Sequence, residues 1–339
     1  MPSPDSNPSV RAPGTIIDGR AIAAQIQREL SGRIAALKAR GIQAGLAFVR
    51  VGEDPASRVY VGRKEKACAE LGLFSELHVL PERASEDELL ALLKKLNADA
   101  RLHGILVQAP LPKQIRESVI YAAVLPQKDV DGFHPVNVGK LMLGDPTGFQ
   151  PCTPAGIGEL LARSNVKTDG AEVVILGRGN IVGKPLAAML CQKSKHANAT
   201  VTICHSATRD LRAHCRRADI LVAAMGVAEF VKADMVKPGA AVIDVGVNRV
   251  SDPTAKSGSR LVGDVDFARV QPVAGKITPN PGGVGPMTIA MLMQNTVRAA
   301  AYSCRAPAPR ILAQRCNRGV ANDHSPARPI LARNTHSAL

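Results

Sequence analysis

The sequence predicts an α/β protein built from two α/β domains. The chain has 339 residues, more than a single hydrophobic core usually requires. Its hydrophobic fraction is 45 %, but Trp is absent and aromatic residues make up 3 %. Small aliphatic residues must therefore fill the core, which suits parallel sheets covered by helices. Apolar segments typical of strands also alternate with helical patterns, at the spacing of parallel crossover connections.

The first half of the chain carries clear signals for the starts and ends of helices. Apolar residues recur with helical spacing from Ile22 to Leu37. Asp54-Pro55 predicts the start of a helix that ends at Gly72, and Ser85 with Glu88 has the pattern of a capping box. Strands are predicted at 46–51, 73–80 and 104–108, and further helices at 85–97 and 115–124.

The second half resumes this alternation after an irregular segment. Residues 126–154 are rich in Gly, Pro and Asp, and we interpret them as loops before a helix at 154–163. A Gly/Pro-rich loop at 278–286 precedes a long apolar helix from Met287 to about Cys304. Strands are predicted at 173–176, 200–204, 220–224 and 241–245, with helices between the first three.

The net charge of +14 is partly concentrated at the end of the chain. Six arginines follow Cys304, against Asp323 alone, so this segment carries a net +5. Its Pro, Ala and Asn content and lack of a sustained period predict a disordered tail at 305–339, and residues 1–13 are predicted to be disordered too. Without interleaved aromatic residues, a solvated tail is favoured over nucleic-acid binding.

The seven cysteines are scattered and include no CxxC pair. This pattern predicts reduced, buried thiols rather than a disulfide framework or a zinc site, and no metal is expected. The N-terminal residues lack the apolar run of a secretory signal, and no apolar stretch is long enough to span a bilayer. We therefore expect a cytoplasmic protein without a membrane partner.

The segment VVILGRGNIVGKP, residues 173–185, is typical of a nucleotide-binding loop. An apolar strand ends at Gly177, and Gly179 and Gly183 follow before an amphipathic helix. Small residues let the N–H groups at a helix start approach a pyrophosphate. The GxGxxxG spacing is one residue longer than the usual fingerprint. A glycine-rich turn without a ligand is the alternative, and the flanking strands disfavour it.

The residues around this loop favour NADP over NAD. Sites for NAD usually place Asp or Glu at the end of the second strand, to accept from the ribose hydroxyls. Here that strand ends in Cys204, His205 and Ser206. Arg178 lies within the glycine loop, where a guanidinium can meet a 2′-phosphate. For Arg178 alone, an ordinary solvated arginine is the alternative.

A second candidate site is centred on Lys64. Tyr60 and Lys64 are four residues apart and share a face of the predicted helix, which Ala67 and Leu71 continue as a core-like surface. In isolation, a lysine whose amine reaches the solvent is the favoured interpretation. The functional alternative is a desolvated lysine with a lowered pKa, able to act as a base at neutral pH.

Polar residues in two other segments are candidates for the same site. Gln108 follows a buried strand, the usual position of functional residues in open α/β sheets, and Asp131 precedes Gly132 in the loop-rich segment. Either residue is also compatible with a turn or a cap. The segment TPNPGGVGPMT at 278–288 is too rich in Gly and Pro for the interior of a helix or strand. It indicates a loop whose backbone comes close to a flat group.

Taken together, these segments resemble the methylenetetrahydrofolate dehydrogenase/methenyltetrahydrofolate cyclohydrolase family of bacterial type, over about residues 14–304. The matching stretches are VGEDPASRVYVGRKEKACAELG, GILVQAPLP, KDVDGFHPVNVGKL, PCTPAGI, GRGNIVGKP, VIDVGVNR, VGDV and PGGVGPMT. So many ordered segments are far more specific than any one motif.

The resemblance implies a homodimer whose two domains flank a cleft. It implies a folate-binding domain at 14–150, completed by a returning helix at 286–304, and a Rossmann-like NADP-binding domain at 151–285. It also implies NADP-dependent oxidation of 5,10-methylenetetrahydrofolate, followed by hydrolysis of the methenyl product to 10-formyltetrahydrofolate.

The resemblance assigns roles to individual residues. Lys64 is the catalytic lysine, Tyr60 stacks on the aminobenzoyl ring, Gln108 bonds to Lys64, and Asp131 holds the donor edge of the pterin. The expected NADP contacts are Gly177, Arg178, Gly179, Ser206 and Val247. The expected substrate contacts are Tyr60, Lys64, Val107, Gln108, Ala109, Asp131, Pro281, Gly282, Gly283, Val284, Gly285, Pro286, Met287 and Thr288.

The sequence departs from the family pattern at Gly179, Ala109, Asn280 and Ala155, where relatives commonly have Ser, Leu, Val and a basic residue. None of these departures removes a catalytic group. Three alternatives remain at this stage: a monofunctional dehydrogenase of the family, an NADP enzyme similar to shikimate dehydrogenase, and a basic NADP- or RNA-binding protein without turnover. The second alternative leaves the Tyr60–Lys64 helix and the PGGVGPMT loop without an explanation.

Overall fold

The structure, a computed structural model, describes residues 13–254 and 258–303. The disorder predicted for 1–13 and 305–339 falls outside the described residues, except for Pro13. The strands, in chain order, are β1 (Thr15–Ile16), β2 (Gly45–Val51), β3 (Phe74–Leu80), β4 (Gly104–Val107), β5 (Glu172–Leu176), β6 (Thr200–Cys204), β7 (Ile220–Ala223), β8 (Ala241–Asp244), β9 (Asn248–Ser251), β10 (Ser259–Val262) and β11 (Lys276–Ile277).

The helices of the described residues cover both faces of the sheets. They are, in chain order, α1 (Gly19–Lys38), α2 (Pro55–Leu71), α3 (Glu86–Ala98), α4 (Glu117–Ala123), α5 (Pro135–Leu143), α6 (Cys152–Arg163), α7 (Gly183–Leu190), α8 (Leu211–Arg217), α9 (Phe267–Val270) and α10 (Val284–Ser303). The α/β fold class predicted from the sequence is confirmed.

The start of α2 shows how the local sequence sets the ends of a helix. The Asp54 carboxylate accepts from the Ser57 backbone N–H at 2.6 Å, and Pro55 occupies the first turn. Gly72 closes the helix in the left-handed conformation, with φ of 70°. In α3 the predicted capping box is present, with Ser85 and Glu88 each accepting from the other's backbone N–H.

The first sheet is parallel and has three strands in the order β3-β2-β4. Every residue of the central strand β2 is buried. Phe48 on one face packs into the core shared with α1 and α10, whereas Val49 on the other face packs into the core under α3 and α4. The carboxyl end of β4 therefore lies deep in the molecule, immediately before Gln108.

The second sheet has six strands in the order β1-β11-β8-β7-β5-β6, and all of its pairs are parallel. From β5 the chain passes to β6 on one side, and β7 then lies on the opposite side of β5. Ligands in open parallel sheets bind beyond the carboxyl ends of the strands at such a reversal of order. The glycine loop that begins at Gly177 occupies this position.

The last helix, α10, packs against α1, α2 and α6, and also approaches β2 and β4. The family resemblance implied this return to the first half of the chain, and the helix begins at Val284 rather than at Met287. Asn295 on α10 is buried and donates to the Val130 carbonyl at 2.8 Å. The helix thereby holds the backbone next to Asp131.

The interpretation of 126–154 as loops before a helix at 154–163 is partly wrong. This segment contains α5, and α6 begins at Cys152. The signals for α5 were local: the His134 ring accepts from the Val136 N–H, Pro135 follows at the first helical position, and Gly144 ends the helix with φ of 71°. The many Gly and Pro residues were interpreted as loop signals, but Pro135 and Gly144 mark the start and the end of this short helix.

Short strands with few apolar residues were missed. These are β1, β11 and the antiparallel hairpin of β9 and β10. Because β1 pairs with β11, residues 15–16 belong to the second sheet, although the predicted boundary at residue 14 groups them with the first domain. The division at residue 150 stays a prediction.

Candidate active site

A cavity of about 330 Å³ is lined by residues from the carboxyl ends of both sheets and from the start of α10. Its polar or aromatic lining includes Tyr60, Lys64, Gln108 and Asp131, the four residues that were predicted from the sequence to share one site. The lining residues are Tyr60, Lys64, Leu106, Val107, Gln108, Ala109, Tyr121, Asp131, Phe133, Thr153, Ile181, Val182, Val245, Val247, Val284, Gly285, Thr288 and Ile289.

Lys64 is buried within this cavity wall, with 8 % of its surface exposed. Its Nζ donates to Gln108 Oε1 at 3.0 Å. Gln108 is itself fixed, because its Nε2 donates to the Ala109 carbonyl at 2.6 Å and its backbone N–H donates to the Val49 carbonyl at 2.8 Å. The carbonyl end of the glutamine amide therefore faces the amine. The interpretation of Lys64 as a solvent-reaching lysine is wrong.

Burial lowers the pKa of Lys64 from its ordinary value, because the charged ammonium is poorly solvated there. The nearby charge of Asp131 opposes this effect and raises the pKa, as does Cys152 to a smaller extent. Desolvation has the larger effect on the pKa, so the neutral amine forms more readily than in a surface lysine. A lysine in this environment is a better proton acceptor at a given pH than a surface lysine.

Asp129, which the sequence analysis missed, shapes the turn that carries Asp131. Its buried carboxylate accepts from the backbone N–H groups of Gly132, Phe133 and His134, at 3.1, 3.2 and 2.8 Å. It also accepts from Asn137 Nδ2 at 2.8 Å. Burial raises the pKa of Asp129, and the bond from Asn137 opposes that rise. An Asp a few residues before a helix start was the available signal in the sequence.

The aromatic side of the cavity was also missed by the sequence analysis. Tyr121 on α4 and Phe133 line it together, with ring centroids 5.2 Å apart. Burial raises the pKa of the Tyr121 phenol. Thr153 at the start of α6 and Thr288 on α10 also line the cavity, and their hydroxyls share a hydrogen bond of 3.0 Å. The cavity therefore presents flat apolar walls and few polar groups, a lining suited to a ring system.

The predicted loop of residues 281–288 is divided between two cavities. Val284, Gly285 and Thr288 line the first cavity, and residues 281–286 line a second cavity that adjoins it. Met287 is fully buried, and a Cβ on Gly156 would lie 2.8 Å from its Cβ. Met287 therefore packs α10 against α6 and lines neither cavity.

The glycine loop forms a close backbone cradle at the carboxyl end of β5. Gly177 has φ of +117°, and a Cβ there would lie 2.2 Å from the Ala224 carbonyl oxygen. A Cβ on Gly183 would lie 2.0 Å from the Gly177 carbonyl oxygen. Only residues without a side chain fit at these two positions. This cradle at the start of α7 fits the pyrophosphate of a dinucleotide.

The other expected nucleotide contacts surround this cradle. Arg178, Gly179 and Ser206 are exposed, and a Cβ on Gly179 would meet nothing within 4 Å. Because Leu176 and Cys204 are register partners in adjacent parallel strands, Arg178 and Ser206 follow neighbouring strand ends. Val247 lies beyond β8 and lines both cavities, and Ile181 and Val182 extend the glycine loop into the first. The nucleotide loop and the lysine site thus share one cavity.

Comparison with known protein families identifies the family in which the nucleotide loop and the lysine site occur together. The model of the tetrahydrofolate dehydrogenase/cyclohydrolase catalytic domain matches residues 17–131, and that of the NAD(P)-binding domain of the same family matches residues 151–304. The chain belongs to the tetrahydrofolate dehydrogenase/cyclohydrolase family. This membership excludes the shikimate-dehydrogenase-like alternative and the binding protein without turnover.

Curated members of this family are similar to the chain over most of its length. The bifunctional protein FolD 2 of Geobacter metallireducens is 56 % identical over 286 residues, covering 84 % of this chain and 96 % of that protein. The bifunctional protein FolD of Syntrophus aciditrophicus is 57 % identical over 288 residues, covering 85 % of this chain and 98 % of that protein.

Solved structures of family members have the same fold. The bifunctional FolD of Campylobacter jejuni is 47 % identical, with a TM-score of 0.80, over 85 % of this chain and 99 % of that one. FolD of Trypanosoma brucei, solved with NADP and an inhibitor, is 41 % identical, with a TM-score of 0.83, over 87 % of this chain and 100 % of that one.

The described residues hold no group of three or more His, Cys, Asp or Glu side chains that is placed to bind a metal ion. Five cysteines lie in this part of the chain, and all are free thiols. Cys152 is fully buried, and burial raises its pKa well above the ordinary value.

Proposed function

We propose that this chain oxidises 5,10-methylenetetrahydrofolate to 5,10-methenyltetrahydrofolate with NADP, and hydrolyses that product to 10-formyltetrahydrofolate. The observation that carries the proposal is the buried Lys64 bonded to Gln108 at 3.0 Å, in a cavity that also holds Asp131 and the end of the glycine loop. The two activities belong to one-carbon metabolism. The curated relatives are named as bifunctional proteins, which supports both activities here.

Bound NADP supplies the hydride acceptor for the first step. Gly177 and Gly179 give the backbone access to the pyrophosphate, and Val247 lines the cavity where the nicotinamide must meet the substrate. In our proposal Arg178 and Ser206, which follow neighbouring strand ends, bind the 2′-phosphate, since a guanidinium and a hydroxyl both donate to phosphate oxygens. This residue set favours NADP over NAD.

The protein contributes orientation to hydride transfer. In our proposal the carboxylate of Asp131 accepts hydrogen bonds from the donor edge of the pterin, and Tyr60 stacks on the aminobenzoyl ring. The reacting carbon must approach the nicotinamide to roughly 3–3.5 Å. The lone pairs of the two folate nitrogens stabilise the methenyl cation, so this step needs no acid or base from the protein.

Hydrolysis of the methenyl cation requires proton transfer, and we propose that Lys64 carries out this transfer. Water adds to the methenyl carbon while the neutral amine of Lys64 takes a proton from that water. The bond from that carbon to N5 then breaks, N5 becomes protonated, and the carbonyl of the N10-formyl group forms, with one proton released overall. The Gln108 amide oxygen accepts from Lys64 throughout and fixes the direction of the amine.

The test is the Lys64→Met variant, with Lys66→Met on the same helix as the control because Lys66 is exposed. Absorbance would follow reduced cofactor and methenyl product together, with methenyltetrahydrofolate supplied directly in a second assay. We expect Lys64→Met to lose hydrolysis while its NADP dissociation constant stays near that of the wild type. Retained hydrolysis would remove Lys64 from the mechanism.

The wild-type protein tests the monofunctional alternative in the same assay. Reduced cofactor without accumulated methenyl product supports both activities. Stoichiometric accumulation of methenyl product would instead indicate a dehydrogenase that lacks cyclohydrolase activity. Absence of turnover with NADP and with NAD would overturn the proposed function.

We also propose that the enzyme is a cytoplasmic homodimer that binds neither membranes nor nucleic acid. The family resemblance supports the dimer, and the free thiols support a reducing compartment. The described helices include none that combines the length and apolar character of a membrane span. Light scattering should give twice the chain mass of 35.7 kDa, and the mass of a single chain would refute the dimer.

A further inference from the structure

Two buried carboxylates, Asp244 and Asp264, lie side by side at the ends of β8 and β10. Asp244 is the last residue of β8, and Asp264 follows the end of β10 by two residues. Asp244 is 3 % exposed and Asp264 is fully buried. A buried carboxylate needs donors that compensate for its lost hydration, so its partners are held firmly in place.

Asp264 joins the loops that follow β7 and β8. Its Oδ2 accepts from the backbone N–H groups of Met225 and Gly226, at 2.6 and 2.9 Å. Its Oδ1 accepts from Asn248 Nδ2 at 2.9 Å. Met225 and Gly226 follow β7, and Asn248 begins β9 directly after the loop that follows β8. One carboxylate thus holds two strand-end loops at a fixed separation.

Asp244 fixes the segment that carries Asp264. Its Oδ1 accepts from the backbone N–H groups of Gly246 and Asp264, at 3.0 and 2.8 Å, and its Oδ2 accepts from that of Val265 at 3.1 Å. The backbone approaches both carboxylates closely. A Cβ on Gly246 would lie 2.1 Å from Asp264 Oδ1, and a Cβ on Gly263 would lie 1.6 Å from Asp244 Oδ2. The loop after β8 is therefore held by both carboxylates.

The loops held by Asp264 border the expected position of the nicotinamide. Dinucleotide sites usually bind the adenosine ribose at the end of the second strand, here β6. Since β7 and β8 lie on the opposite side of β5, the nicotinamide half extends across their carboxyl ends. Val245 and Val247, in the loop after β8, line the first cavity together with Lys64. The carboxylate pair therefore supports the nicotinamide side of that cavity.

We propose that Asp264, supported by Asp244, is a positioning residue for hydride transfer, because it fixes the loops after β7 and β8 that hold the nicotinamide against the substrate. The inference rests on the proposed function and concerns its first step. A misplacement of about 1 Å can cost about 100-fold in the rate of such a step. Hydrolysis of the methenyl product needs no nicotinamide, so it should not depend on Asp264.

The test uses Asp264→Asn, with Asp266→Asn as the matched control. Asparagine keeps the shape of the side chain, but its NH₂ group must face a donor from which the carboxylate oxygen accepts. Asp266 lies two residues away, and its carboxylate pairs with Lys232 and Arg269 instead. We expect Asp264→Asn to lower kcat for methylenetetrahydrofolate oxidation by about 10- to 100-fold. Hydrolysis of supplied methenyltetrahydrofolate should stay near the wild-type rate, and Asp266→Asn should retain both activities.

A double variant, Asp264→Asn with Asn248→Asp, should restore oxidation. The amide oxygen at position 264 can then accept from the loop after β7, while its NH₂ group donates to the carboxylate at position 248. Asn248→Ala is a milder variant that remains informative if Asp264→Asn fails to fold. It removes one donor at a half-buried position, and we expect the same selective loss of oxidation.

Nucleotide binding provides a readout that needs no turnover. Calorimetry would compare NADPH with 2′-phospho-ADP-ribose, which has the adenosine and the pyrophosphate but lacks the nicotinamide. In the wild type and in Asp266→Asn, NADPH should bind more tightly than this fragment. In Asp264→Asn that difference should shrink, whereas the dissociation constant of the fragment should stay unchanged, because the glycine cradle at Gly177 is intact.

Two outcomes would overturn the inference. One is an equal loss of oxidation and hydrolysis in Asp264→Asn, which would indicate a general loss of folded protein. The other is an unchanged difference between NADPH and the fragment in that variant. If the wild-type protein does not oxidise methylenetetrahydrofolate, the proposed function fails, and the binding comparison still decides whether Asp264 positions the nicotinamide.

Discussion

Gly177 offers a direct test of the nucleotide loop, because its substitution has a cost that the backbone geometry sets. In Gly177→Ala the new Cβ would lie 2.2 Å from the Ala224 carbonyl oxygen, and φ is +117°. The neighbouring backbone is fixed, since the Gly177 N–H donates to Cys204 and the Ala224 N–H donates to Leu176, both at 2.8 Å. Neither strand end can move without loss of these bonds.

The magnitude follows from two contributions. A residue with a side chain in this region of φ costs about 1–3 kcal/mol, and forced overpacking against a fixed backbone costs about 1–3 kcal/mol, so we expect a loss of about 2–6 kcal/mol in the free energy of unfolding. Gly179→Ala is the control in the same loop, because its Cβ meets nothing within 4 Å. Its effect should stay within about 0.5 kcal/mol.

The assay is urea unfolding of both variants at one fixed protein concentration, together with NADP binding by calorimetry. Gly177→Ala should lower the unfolding midpoint and weaken NADP binding, whereas Gly179→Ala should leave the midpoint near that of the wild type. If Gly177→Ala matches the wild type in both midpoint and NADP affinity, the close approach of β5 to β7 does not constrain this loop, and the reasoning fails.

Two further predictions concern the lysine site. The hydrolysis rate should rise with pH as Lys64 loses its proton and should level off below pH 10.5, the ordinary lysine value, because burial lowers this pKa. Asp131→Asn removes a charge that raises the pKa, so the inflection should move to lower pH; an inflection at or above 10.5 would contradict the assignment. Asp129→Ala should destabilise the protein by about 1–3 kcal/mol for each buried donor left unpaired and raise the folate KM, because the turn that carries Asp131 loses its acceptor. Unchanged urea unfolding and an unchanged folate KM would show that Asp129 does not support the turn.

Local signals explain which parts of the fold the sequence predicted. Asp54-Pro55, Ser85 with Glu88, and Gly72 act on the backbone within a few residues, and each lies at a helix end in the structure. The buried strands were predicted from short apolar runs, which are local signals too. Elements without such signals were missed: β1 and β11 have two residues each, and they form by pairing with each other and, for β11, with β8.

The sequence by itself determined the fold class, the glycine loop and the identity of the chemical groups, because motif spacing and residue type are properties of the chain. The tertiary structure alone decided the state of Lys64. Its burial and its bond to Gln108 depend on segments 44 residues apart in sequence, so no local pattern distinguished it from a solvated lysine.

The same holds for Arg20, which the sequence analysis did not consider. It reaches the second cavity only because α1 starts against the loop at 282–283, near the other end of the chain. Desolvation and shared cavity walls arise when distant segments pack together, so these physical properties do not exist until the chain folds.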